Sequence, residues 1–270
     1  MQTINRAAFY FVAHADDWQL FMAPDISRDI ADKQCKVTIV HVTAGDAGRD
    51  EQYWKAREKA AIESLLFRMS VDDCIQRSEK EFVYGNKKIF SVTINNCSGY
   101  FLRLPDGAYD GNGFTAYNHQ SLDKFRNGAT SPLTALDQQA VYTDWEDLTH
   151  TIDAIIEQEL AALPPIPVNR VYLNIPDNDN TLNPYDHNDH YNTSFLVNNT
   201  RAFKQYRKRA FLDYHIVNLD RFLAADDLFW KIGMFASYHQ SLFREYGHST
   251  ISEDQSMIPW CFRDSSSREL

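Results

Sequence analysis

Two short stretches hold residue types that could do chemistry together. The first is His14-Ala15-Asp16-Asp17, where the apolar run FYFVA at 9–13 stops. The second is His187-Asn188-Asp189-His190, a little beyond the apolar run at 169–176. A buried strand gains nothing from ionisable residues at its end, whereas a metal site there gains a great deal. Catalytic zinc takes three protein ligands from His, Asp, Glu or Cys and leaves a position for water. His14 and Asp17 lie three apart, so both can face one point if the chain turns into a helix. His190 supplies the third ligand. Asp16 is then left beside the metal, free to act as a base. A bound metal eases the ionisation of water, and a nearby carboxylate takes the proton. Two plainer readings compete. An Asp-Asp pair before a helix is often only a cap, and HNDH in an Asn-rich stretch fits a solvated turn. The two clusters together, with a glycine-containing turn between them, favour the metal site.

The elements that must position these residues follow from the apolar pattern. Residues 7–14 and 36–43 are runs suited to strands buried on both faces of a parallel sheet. The helical stretch between them is interrupted by Pro24. Gly45 and Gly48 allow a tight turn. Asp50 then caps a helix whose inward residues include Tyr53, Ala56, Ala60, Ile62 and Leu65. This β-α-β-α opening marks a doubly wound α/β fold. Residues 82–104 read as a hairpin turning at Gly85-Asn86 and a return to the main sheet. A long Gly/Asn/Asp/Ser-rich loop covers 105–135, and such loops are often functional. A helix over 144–163 ends before Pro164-Pro165, and a strand covers 169–176. A helix begins near 189, a late strand spans 210–219, and 225–246 is the closing helix. With no internal repeat and no composition break, 1–270 is expected to form a single domain. Both clusters fall on the carboxyl side of expected parallel strands, the edge where open α/β sheets bind ligands.

Composition narrows the partners. Across 270 residues, 37 acidic against 27 basic side chains give a net charge of −10. No Lys/Arg-rich run stands out, which disfavours a nucleic-acid partner. A neutral or cationic small molecule is easier to accommodate. Cys35, Cys74, Cys97 and Cys261 are scattered and are expected to be reduced thiols in a cytoplasmic protein. The start MQTINRAAFYFVAHADD lacks the charged start, apolar segment and small-residue site of a signal peptide. No apolar run approaches the ~20 residues of a membrane span. A nucleotide-binding role is disfavoured too, because GxGxxG is missing after the first strand and the aspartates there would repel a pyrophosphate.

Taken together, these residues resemble the LmbE/PIG-L family of zinc-dependent N-deacetylases. The family's (A/P)-H-P-D-D-E motif is matched by Ala13 to Trp18, its T-x-G-x-x-G strand end by Thr43 to Gly48, and its following Arg/Glu pair by Arg57-Glu58. Leu104 to Gly107 (LPDG) is family-like, and H-x-D-H is matched by His187 to His190. The match runs in order through roughly 7–215. The resemblance implies a Rossmann-like three-layer α/β/α sandwich with a mostly parallel sheet, and one Zn2+ per chain held by His14, Asp17 and His190. It implies Asp16 as general base, and His187 as oxyanion stabiliser or proton donor to the leaving amine. It further implies Asp189 orienting a nearby histidine, most simply His187, and Arg57 and Asp106 as substrate contacts. The expected substrate is an N-acylated amino sugar or glycoconjugate, with Trp54, Tyr185 and Tyr191 available to stack on a sugar face. The chain departs from the family at Ala15, in place of proline, and at Trp18, in place of glutamate. Tyr238 and His239 of the closing helix have two readings, reaching the site or packing in the core or at the surface, and the second is favoured. A homo-oligomer is compatible with the sequence. The alternative is a non-catalytic metal- or carbohydrate-binding protein that keeps the fold.

Overall fold

The computed structural model describes residues 3–253 and 257–270. In chain order it runs β1 (Arg6–Val12), α1 (Asp17–Leu20), α2 (Asp25–Ala31), β2 (Cys35–Thr43), α3 (Glu51–Arg68), β3 (Arg77–Tyr84), β4 (Lys87–Ile94) and β5 (Cys97–Leu104). Then come α4 (Leu122–Arg126), β6 (Leu133–Thr134), β7 (Val141–Tyr142), α5 (Trp145–Ala161), β8 (Val171–Pro176), α6 (Asn188–Asn198), α7 (Arg201–Gln205) and β9 (Arg207–Phe211). The chain closes with α8 (Ala225–Tyr246), α9 (Thr250–Glu253), α10 (Met257–Phe262) and β10 (Ser267–Glu269).

The main sheet has eight strands in the order β10-β9-β8-β1-β2-β5-β4-β3. Strands β9, β8, β1, β2 and β5 are parallel neighbours, while β10 and the β3–β4 hairpin add antiparallel edges. The central β1 and β2 are almost wholly buried, as their unbroken apolar runs require. Helices cover both faces. On one face Trp18, Ile26, Leu65, Met234 and Tyr238 pack beneath α1, α2, α3 and α8. On the other, Phe9, Phe11, Leu148, Ile152 and Leu196 pack beneath α5 and α6. The outcome is the mostly parallel α/β fold expected from the sequence.

Two local features depart from expectation. The late strand ends at Phe211, not at 219, because its partner β8 stops at Pro176, the residue paired with Phe211. The chain then turns through Asp213 into a short 3-10 segment, Tyr214–Asn218. The long 105–135 region is also less open than its composition suggests, since Ser121 caps α4 by accepting from the Lys124 N–H. All four cysteines are free, three of them buried. Among the described residues, no helix is long and apolar enough to cross a membrane.

Candidate metal centre

Each parallel strand delivers an acid or histidine just past its carboxyl end. β1 leads into His14 to Asp17, β2 into Asp46, β5 into Asp106, and β9 into Asp213. β8 leads through a loop to Asp186 and to His187, which caps α6. Thr43 ties two of these ends together, its backbone N–H and hydroxyl both donating to the Ala13 carbonyl. The two clusters, remote in sequence, therefore meet.

His14 Nδ1, His190 Nε2 and one oxygen of Asp17 form a small triangle. The separations are 3.3 Å between the two nitrogens, 3.5 Å from His14 to Asp17 Oδ1, and 3.3 Å from His190 to Asp17 Oδ1. A tetrahedral zinc with bonds of about 2.0–2.1 Å has ligands about 3.3–3.4 Å apart, so the triangle fits such an ion. The other Asp17 oxygen accepts from the His14 backbone N–H at 2.7 Å, which locks the carboxylate in place. Behind each histidine stands a carboxylate, the arrangement that orients metal-binding imidazoles. His190 Nδ1 lies 2.8 Å from Asp186 Oδ1 and 3.6 Å from Asp213. His14 Nε2 lies 3.5 Å from Asp189 Oδ2. Asp189, expected to orient a nearby histidine, most simply His187, has Oδ2 nearer to His14 than to His187. The same oxygen is 3.9 Å from His187 Nδ1 and accepts from the Gly107 N–H at 2.8 Å. A Cβ on Gly107 would come within 2.5 Å of Asp189, so only glycine admits this approach.

Asp16 occupies the cap position of α1 but makes no side-chain cap bond. Instead it accepts a hydrogen bond from Arg57 Nη2. Arg57 also donates through Nε to the Tyr238 hydroxyl at 2.7 Å and through Nη1 to the Gly45 carbonyl at 2.6 Å. Gly45 has a φ of +58°, and a Cβ there would lie 2.6 Å from Arg57, so the turn needs glycine twice over. Arg57, expected as a substrate contact, is thus buried and engaged on three sides, though it borders the site cavity. Tyr238 lies in the core, as expected, yet reaches Asp16 through Arg57.

His187 caps α6 with its own ring, for Nδ1 accepts the Asp189 backbone N–H at 3.1 Å. That leaves the second nitrogen, Nε2, as the N–H of a neutral ring. Burial and the neighbouring His14 hold its pKa down at about 4. Asp106 lies 3.9 Å from His187 Nε2 and lines the cavity with it. Of the three proposed stacking aromatics, Trp54 is buried, Tyr185 is exposed, and the Tyr191 hydroxyl donates to the Asn183 carbonyl. None of the three lines the cavity. Trp18 is fully buried in the core and also stays out of it.

Sequence reasoning missed Asp46, Asp186 and Asp213. Asp46 Oδ1 accepts the Asp106 N–H at 2.7 Å and so holds that loop; burial and Asp106 push its pKa up to about 7. Asp186 was signalled by its i,i+4 spacing to His190. Asp213 was hidden by the overlong strand, although an acid just past a strand end repeats the pattern of the other strands.

The electrostatics favour a cation. Burial opposes protonation of His14, but Asp17, Asp189 and Asp106 outweigh it and push its pKa up to about 10. His190 is raised well above the ordinary range against burial, by Asp186, Asp17 and Asp213. Burial, with Asp186 and Asp17, holds the Asp213 carboxyl far above the usual range, and neither of its oxygens has a hydrogen-bond partner. A divalent ion at the triangle would offset this crowding of carboxylates.

A buried His/Asp cluster on the carboxyl edge of a mostly parallel sheet defines an α/β protein with a candidate metal centre. The family model described as GlcNAc-PI de-N-acetylase (PIG-L) matches residues 9–200, and the chain belongs to this family. Among solved structures it is similar to a deacetylase triple mutant from the teicoplanin biosynthetic pathway, with a TM-score of 0.51, 11% identity, and coverage of 98% of this chain and 97% of that one. It is also similar to the zinc-inhibited form of teicoplanin deacetylase, with a TM-score of 0.49, 13% identity and 97% coverage of both chains. The 4-carboxy-2-hydroxymuconate hydratase GalB from Pseudomonas putida gives a TM-score of 0.46, 12% identity, and coverage of 98% and 96%. At such identities the first likeness speaks for the fold alone, and the other two carry no weight. Among curated proteins none matches the chain.

Proposed function

We infer that the protein is a zinc-dependent amidohydrolase that removes an acyl group from the nitrogen of an amino sugar or related amine. The observation that carries this is the His14–Asp17–His190 triangle with Asp16 beside it and an open cavity in front. Zinc held by those three residues would polarise the amide carbonyl and ease ionisation of a water molecule. Asp16, aligned by Arg57, takes a proton from the attacking water. The water oxygen bonds to the carbonyl carbon, the C–N bond breaks, and the amine leaves with a proton, giving a carboxylate and an amine. His187, neutral with its N–H at Nε2, donates a hydrogen bond to the oxyanion of the tetrahedral intermediate. This favours the oxyanion role over that of an imidazolium acid. Asp106 faces the amine-bearing half of the substrate. The family description supports an amino-sugar amide.

The test is amine release from N-acetylglucosamine and its conjugates by zinc-loaded protein. Turnover that a chelator abolishes and added zinc restores is the expected result. Bound zinc without cleavage of any amide in a broad panel would favour a binding protein instead.

A further inference from the structure

The cavity in front of the triangle has two chemically different sides. Its volume is about 150 Å³. Asp16, Arg57, Asp106 and His187 form the polar side, and Leu20, Phe21, Tyr214, Met257 and Trp260 form the other. The rings of that second side brace one another. Phe21 meets Trp260 edge-on at 5.1 Å, and Tyr214 stacks on Trp260 at 4.7 Å. The Trp260 indole N–H donates to the Tyr214 carbonyl at 3.2 Å, so Trp260 offers the cavity carbon and no free donor. This wall stands directly against the candidate centre, with Phe21 at 5.8 Å and Tyr214 at 5.2 Å from the His190 ring. Tyr214, Met257 and Trp260 all lie beyond residue 200, outside the segment that the family model matches.

We propose that this wall is an acyl-binding surface, and that the preferred substrate carries an apolar acyl group longer than acetyl, or an aryl one, in place of acetyl. The proposal rests on the amidohydrolase reading. An amide centred on the triangle has two halves to place. The amine half leaves charged and carries the sugar hydroxyls, which suits the side of Asp16, Asp106 and His187. The acyl half is then directed to the carbon-lined side. The cavity of about 150 Å³ is shared between the two sides and opens outward, so an acyl chain longer than acetyl can run from the carbonyl along Leu20, Phe21 and Trp260. Each fully buried methylene is worth about a fourfold gain, so a hexanoyl amide should exceed the acetyl amide by tenfold or more even if it is half buried.

The experiment compares kcat/KM of the full-length, zinc-loaded protein on N-acetylglucosamine, N-hexanoylglucosamine and N-acetylhexylamine. Calorimetric binding of hexanoate against acetate is measured alongside. The expected result is at least a tenfold preference for the hexanoyl sugar and for hexanoate. That preference should shrink to about threefold or less in Trp260→Ala, and also in Met257→Ala, a milder change at a half-buried position. Equal or better cleavage of the acetyl sugar would overturn the proposal and leave the hydrolase reading intact. A preference for N-acetylhexylamine would overturn it as well, since the wall would then hold the amine half. If no amide is cleaved, the hydrolase reading falls, and the ratio of hexanoate to acetate binding still decides whether the wall takes an acyl chain.

Discussion

Asp16 and Tyr238 are joined through one guanidinium. Arg57 donates to the carboxylate with one nitrogen and to the phenol oxygen with another. The residue proposed as the base at the end of β1 is therefore aligned from α8. Removing the phenol oxygen strands a buried donor, which costs about 1–3 kcal/mol. Removing the guanidinium leaves Asp16 buried and unpaired, which costs about 3–5 kcal/mol. Urea unfolding should accordingly rank Arg57→Ala below Tyr238→Phe in stability, with both below wild type. A Tyr238→Phe protein as stable as wild type would mean that the phenol supports nothing.

Asp16→Asn keeps the size of the side chain and removes its basicity. Loss of a positioned acid–base group lowers turnover by about 10²–10⁴-fold. Zinc content should stay unchanged, because the ligand triangle does not include Asp16. Full turnover in this variant would remove Asp16 from the role of base.

The crowding of carboxylates around His14 and His190 predicts that the metal-free protein is the less stable form. Free zinc at a hundred times its dissociation constant should add about 2.7 kcal/mol. Melting curves with and without zinc read this directly. His190→Ala should abolish the shift, and an equal shift in that variant would place the zinc elsewhere.

His41 supplies a pH dependence outside the site. It is buried, stacks on Phe101 at 4.3 Å, and is held at a pKa of about 4 by burial, which outweighs its hydrogen bond with the Tyr100 carbonyl. The unfolded chain, with histidine near 6.5, binds the proton more readily between pH 6.5 and 4. Stability from this group is therefore present above pH 6.5 and lost as pH falls towards 4. The full loss is about 3 kcal/mol. His187, also held at about 4, acts in the same direction. Urea unfolding of His41→Phe across that window should show a flatter decline than wild type. An unchanged slope would show that His41 titrates normally.

The sequence was legible where one residue type had one job. Unbroken apolar runs revealed β1 and β2, the Gly85-Asn86 turn revealed the hairpin, and Asp50 marked the start of α3, where its side chain accepts the Tyr53 N–H. The spacing of His14 and Asp17 and the HNDH stretch foretold a cluster, and the fold brings them within 3.5 Å. What stayed hidden depends on distant segments. The end of β9 is set by its partner strand and not by its own composition. The assignment of Asp189 to His14 depends on the close approach of Gly107 from another loop. The wall built by Tyr214 and Trp260 needs α10 to fold back over α1, and no local pattern near residue 260 announces that.

The central claim is that His14, Asp17 and His190 hold one metal ion. Elemental analysis of purified protein after zinc loading and exhaustive dialysis tests it most directly, beside a His14→Ala/His190→Ala double variant. The account predicts about one zinc per wild-type chain and none in the variant. No zinc in the wild type, or the same amount in both, would contradict it.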